Sequence, residues 1–324
     1  MTNHKTYSII NLTSPSGLCG NACTLEGVLL LGDIAMADKE FKTVYEQLNI
    51  LKSRGLTIDN ETIATDFLLR NNYYRVSGYS LTLRNHDVFS KTATFQNIID
   101  IYNFDHELRH TLLKFLEIIE VQFKSIYAHE FTRLYGATGY LSKENFTNTD
   151  TYEKIMVKSE EQKIKRLPHE AYLKHFIEDL KQDLPLWAYV DLLTIADMSF
   201  LYSITEQSIQ KAVSTNINVP DKILGKFMHS MTILRNLCAH GSRLYNRLFE
   251  QKPKLSKYER SLLRIKTNGT IDDAHLYSFI LVMKRLLPLE DFTEMKYEIL
   301  YITQKYPFVN MKYYGFRDDW NTVL

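Results

Sequence analysis

Apolar positions recur along most of the chain with the spacing of an α-helix. Phe41, Val44, Tyr45, Leu48 and Leu51 mark a first helix over 38–54, and Gly55 supplies a residue that stops one. A second helix is expected from a cap at Asp59 to about Asn71. Residues 73–93 change character: aromatic and β-branched residues gather around a glycine, the pattern of a loop or short β-hairpin. Thr94 opens the longest periodic stretch, to about Tyr135, on which Leu112, Leu116, Ile119, Phe123, Ile126 and Tyr127 draw one apolar stripe before Gly136 and Gly139 end it. Further helices are expected over 151–165, 169–182 and 186–207, with Pro168 and Pro185 near their starts. Pro220 introduces a helix over about 221–250, and two more follow at about 272–287 and 290–305. The fold class is therefore all-α, a helical bundle with at most one short β-hairpin around 73–93. Residues 1–36 read as a poorly structured leader, 37–310 as one domain and 311–324 as a C-terminal tail, with no internal repeat.

Composition agrees with long helices: the 324 residues include only 12 glycines and 7 prolines, and 45% are apolar, enough for a sizeable core. Net charge is +1, which excludes a uniformly basic polyanion binder. The average hides an asymmetry, because residues 222–266 hold eleven Lys or Arg against two acids, a local +9 that leaves −8 elsewhere. Such a local field is the footprint of a phosphate-backbone contact, or simply a solvated basic face. Cys19, Cys23 and Cys238 are too few and too odd in number for a disulfide framework and suit a reducing cytoplasm. No apolar run reaches membrane-span length, and GVLLLGDIAMA at 27–37 is a poor signal peptide because Asp33 interrupts it.

Two short stretches carry chemistry. HELRH at 106–110 has the spacing of a zinc-protease helix, with two histidines four apart and a glutamate to activate a metal-bound water. Its surroundings disfavour that reading. Arg109 occupies a spacer position that is normally uncharged, and a cation beside a divalent ion would be repelled; Glu130 and His129 are third ligands only by default. Asp105 and Arg109 have the i,i+4 spacing of an ion pair, so a helix face is the simpler expectation, and no metal or other cofactor is expected.

RNLCAHGSRLYNR at 235–247 is the second stretch. On a continuous helix Asn236, His240, Arg243 and Arg247 share one stripe, and Arg235 lies about 100° to one side and must reach round. Imidazole moves protons near neutral pH, guanidinium holds phosphate oxygens and stabilises added charge on phosphorus, and an amide can orient either. Together they suit metal-free cleavage of RNA: the ribose 2′-hydroxyl attacks the adjacent phosphate, His240 transfers a proton, Arg235 stabilises the developing charge, and a 2′,3′-cyclic phosphate is left. DNA lacks the hydroxyl. Spacing alone equally fits a solvated helix face.

RNLCAHGSRLYNR also resembles the RNxCAHxxRLxNR signature of the Abi-like family of abortive-infection proteins, of the AbiD/AbiF type, within the HEPN clan whose mark is R-x4–6-H. NNYYRVSGY at 71–79, TFQNIIDIYNFDHELRHTLLKFLEIIEV at 94–121 and LPLWAYVDLLTIADMSFLY at 184–202 resemble three further elements of that family, in order. The likeness implies a HEPN-type helical bundle and an anti-phage endoribonuclease with Arg235, Asn236 and His240 as catalytic positions. Arg243 and Arg247 match the signature without an assigned role; with Lys226, Lys252 and Lys254 of the basic segment they are candidates for RNA contact. Tyr74, Arg75, Asp105, Arg109, Trp187 and Asp191 match family elements and are read as structural. Asp191 stands where the family pattern has Glu, and Ala196–Asp197 where it has an apolar residue and Gly.

Further expectations follow from the resemblance. HEPN nucleases usually assemble two R-x4–6-H motifs into one cleft, and this chain has one, so a homodimer with a composite site is expected. Its partners would be an RNA substrate and a restraining small structured RNA or protein antitoxin, with no membrane. A non-catalytic RNA-binding scaffold is the alternative, and a zinc protease the remote one.

Overall fold

Caps decide where this chain enters and leaves its helices. A computed structural model describes residues 40–324; the expected leader over 1–36, with Cys19 and Cys23, lies outside the described residues. Helix α1 (Val44–Ser53) starts at a capping box in which Thr43 and Glu46 satisfy each other's backbone amides. Helix α2 (Glu61–Asn71) is capped by Asn60 rather than Asp59, the Asn60 side chain accepting from the Ile63 amide. Helix α3 (Tyr73–Tyr79) occupies a segment whose composition predicts loop or strand. Val76 and Tyr79 are buried, and that packing outweighs local β preference. The expected hairpin follows, reduced to β1 (Arg84–Asn85) and β2 (Val88–Phe89), antiparallel with Arg84 opposite Phe89.

The long helix α4 (Phe95–Tyr135) spans ~60 Å at 1.5 Å per residue. Thr94 and Asn97 form its capping box, and Gly136, at φ +77°, ends it. The chain continues through α5 (Thr149–Arg166), α6 (Ala171–Lys174) with a π-helical turn at His175–Asp179, α7 (Leu186–Tyr189) and α8 (Ile195–Ser203). The single helix expected over 186–207 is thus broken, because Thr194 and Asp197 open a new capping box. Asp197 also binds Lys158 at 2.7 Å, which gives the unexpected acid at this position a partner. Helix α9 (Gln207–Ile217), which periodicity did not separate, ends at Asn218 in the left-handed region. Then come α10 (Asp221–Ala239), α11 (Lys257–Ser261), α12 (Tyr277–Leu286), α13 (Leu289–Lys305) and α14 (Trp320–Val323).

Helix α4 is the spine of an all-α bundle. Helices α9, α10 and α13 pack along it, and α8 and α12 pack on α10. Its buried face runs through Leu108, Leu112, Phe115, Leu116, Phe123, Tyr127 and Phe131. Each such side chain contributes about 1.5–3 kcal/mol on burial. Residues 311–324, expected as a tail, instead place Tyr314, Phe316 and Trp320 in the core.

Candidate functional site

The site is set by the way α10 stops. His240 is its C-cap and Gly241, at φ +62°, leaves the helix. The Gly241 amide donates to Cys238 O at 3.1 Å and the Ser242 amide to Leu237 O at 2.9 Å, the bond pair of a Schellman motif. Arg75 of α3 donates to the Gly241 carbonyl and closes the turn from outside. The helix therefore ends eleven residues before the expected 250. Leu244, Tyr245 and Phe249 are buried in irregular chain, and their apolar spacing imitates a continuing helix. Cys238 is buried within the motif, and burial pushes its thiol up to about 12, so it packs rather than reacts.

Asp105 holds the turn beyond the cap. It is 0% exposed and Arg109 2%, so their ion pair lies inside the core and not on a surface. Asp105 Oδ1 accepts from the Tyr245 amide at 2.8 Å and from Tyr314 Oη at 2.9 Å; Oδ2 accepts from Tyr79 Oη at 2.8 Å, and the Leu244 amide lies 3.2 Å from both. Burial, reinforced by the Asp105 charge, pushes both phenols up and keeps them protonated donors. One carboxylate thus joins α3, α4, the turn after α10 and the C-terminal segment.

A groove of about 1080 Å³ opens between α4, α7 and α10. Arg235 and Ala239 line it from α10, Glu120 and Lys124 from α4, Trp187 and Asp191 from α7 and the turn after it. Arg235 Nε lies 3.9 Å from Glu120 Oε2, beyond hydrogen-bond reach, and Glu120 is already bound by Lys124 at 2.9 Å. Arg235 Nη1 lies 3.5 Å from Asn236 Oδ1. Asn236 and His240 are exposed on the adjoining side of the helix end. Arg235 and His240, five residues apart, diverge by about 140° around the axis.

The other expected contacts separate into two groups. Arg243 and Arg247 do not continue the stripe, because the helix has ended. Arg243 donates to the Tyr245 carbonyl and packs where a side chain at Gly78 would stand, 3.3 Å from its Nε, so it clamps the turn to α3. Arg247 lies over the Phe249 ring. Lys252 is paired with Asp273 at 2.8 Å, and Arg260, Arg264 and Lys266 pair with Asp273 or Asp272, so two carboxylates just beyond the segment offset part of its positive field and most of that field remains. Lys226 and Lys254 are exposed. Among the residues expected to be structural, Asp105, Arg109 and Arg75 are buried or bonded as described. Tyr74 is 84% exposed, and Trp187 and Asp191 are exposed groove residues. Glu120 and Lys124 were not singled out from sequence; they sit between apolar repeats of α4, and only tertiary packing brings them to Arg235.

HELRH does not assemble a metal centre. His106 and His110 stack with ring centroids 4.2 Å apart, and Glu107 is held by Lys305 at 2.8 Å and Tyr306 at 2.6 Å, away from any role beside a metal. His129 and Glu130 lie ~30 Å further along the same helix. Among the described residues no group of three or more His, Cys, Asp or Glu side chains could hold a metal ion. None of the described helices is long and apolar enough to cross a membrane.

Comparison with curated proteins gave no match, and comparison with solved structures gave none. A family model described as Abi-like protein matches residues 66–246, more than half of the chain. The matched span contains α3, α4, α7, α10 and the turn that Asp105 holds, which is every element of the groove and its rim, and the chain belongs to the Abi-like protein family.

Proposed function

We propose that this protein is a metal-independent endoribonuclease of the HEPN clan and AbiD/AbiF type, acting as an effector of abortive infection against phage. The observation that carries the reading is the end of α10. Asn236 and His240 are presented to solvent on a helix terminus pinned from inside by Asp105, and Arg235 faces the adjoining groove. In the reaction the 2′-oxygen bonds to phosphorus as the bond to the 5′-oxygen breaks. One imidazole accepts the hydroxyl proton and a protonated one supplies the leaving oxygen, with guanidinium stabilising the charge between them. The product is a 2′,3′-cyclic phosphate and a 5′-hydroxyl.

The divergence of Arg235 and His240 around the helix supports a composite site. One chain presents its imidazole and guanidinium in different directions, and a second copy related by a two-fold axis would complete the set at one phosphate. Toxicity on expression tests the reading. It is expected to vanish in His240→Ala and in Arg235→Ala while both proteins remain folded, and unchanged toxicity would overturn it. Tight RNA binding without cleavage under any trigger would favour a scaffold in its place.

A further inference from the structure

We infer that the groove beside Arg235 is a nucleotide subsite, in which Trp187 stacks on one base of a single-stranded RNA whose phosphate lies at Arg235; this rests on the ribonuclease reading. The first support is the placement of the indole. Trp187 is 56% exposed, yet Leu184, Leu186 and Tyr189 around it are buried, the Leu186 amide donates to Ala137 O at 2.8 Å, and Tyr140 Oη donates to Leu184 O at 2.9 Å. A large aromatic is thus held on a rigid backbone and turned outward into a concavity. That placement sacrifices burial, and it is the arrangement of a stacking platform. Packing does not require it, since its neighbours already supply the apolar contacts of α7.

The second support is how charge is distributed. Lys124 is engaged by Glu120, and Lys114 by Glu294 and Glu298 on α13, so the groove is no continuous phosphate track. Arg133 is engaged by Glu130 at 3.0 Å, and Arg235, whose ion pair with Glu120 is long at 3.9 Å, is the most loosely held of the groove cations and the one placed to take a phosphate. Carboxylates line both walls, Glu117 and Glu120 from α4 and Asp191 from the turn after α7, so a phosphate is favoured only at Arg235 and the rest of the groove is left to a base. The volume of about 1080 Å³ exceeds what one nucleotide fills, so a base and its flanking sugar-phosphate fit without opening the fold.

Tryptophan emission reads the subsite directly. The chain has two tryptophans, and Trp320 is 6% exposed, so the difference between wild type and Trp187→Phe is the signal of the groove indole. Uncleavable 2′-O-methyl oligoribonucleotide is expected to quench that difference signal saturably, and inorganic triphosphate at equal charge is not. Trp187→Phe should retain stacking in part and Trp187→Ala should weaken oligonucleotide binding about 5- to 150-fold, the range for loss of one stacked base. Quenching by triphosphate alone, or no response while the oligonucleotide binds, would overturn the subsite. An emission change on protein dilution without RNA would make Trp187 a subunit contact and overturn it equally. RNA cleavage that depends on His240 beside a silent Trp187 would sink the subsite and leave the ribonuclease reading standing; loss of both would sink both.

Discussion

Asp105 is the residue on which the site's geometry depends. Removing it leaves the Arg109 guanidinium buried without its counter-ion and frees the Leu244 and Tyr245 amides. Asp105→Ala is expected to lower stability by about 3–5 kcal/mol, measured by chemical denaturation. His240→Ala removes an exposed group and Arg235→Ala a half-buried one with a long ion pair, so each should change stability by less than about 1 kcal/mol and effects on activity can be separated from folding. The Asp105–Arg109 pairing was legible from i,i+4 spacing, but its burial was not. Nothing local announces that a carboxylate in α4 will accept amides nearly 140 residues further along the chain.

At the scale of elements the decisive feature is the cap of α10. Gly241→Ala places a Cβ in the left-handed region, 3.5 Å from Arg75 Nη2, and should cost about 1 kcal/mol in thermal or chemical unfolding, with a fall in RNA cleavage as His240 loses its position. The segment between α11 and α12 offers a pH test. Burial alone would raise the Asp272 pKa, but hydrogen bonds from His275 and Arg264 hold it at about 2, below the ordinary carboxylate value. A depressed folded pKa contributes stability that is complete above about pH 4 and lost as pH falls through about 2, here about 2 kcal/mol. Melting temperature against pH should show that decline, and Asp272→Asn should flatten it. The start of α4 at Thr94 was readable in advance, whereas the capping box at Thr194 inside the expected helix over 186–207 was not. The end of α10 was not, because Leu244 and Leu248 continue the apolar period past Gly241. Helix α3 was hidden for the opposite reason: its residues prefer strand, and burial of Val76 and Tyr79 makes them helical.

For the whole molecule, the central claim is that one helix end, one groove and a second copy of the chain make an RNA-cleaving cleft. Self-association should appear as twice the chain mass in sedimentation equilibrium, and specific activity should fall on dilution below the dimer dissociation constant. All-α architecture and membership of the Abi-like family agree with the sequence pattern. The continuous polar stripe through Arg243 and Arg247 does not, because it assumed a helix that ends at Ala239. The most direct measurement is the chemistry of RNA ends in cells expressing wild type or His240→Ala side by side. The account predicts new 2′,3′-cyclic phosphate and 5′-hydroxyl ends in the wild type alone, and ends that are identical in the two strains would contradict it.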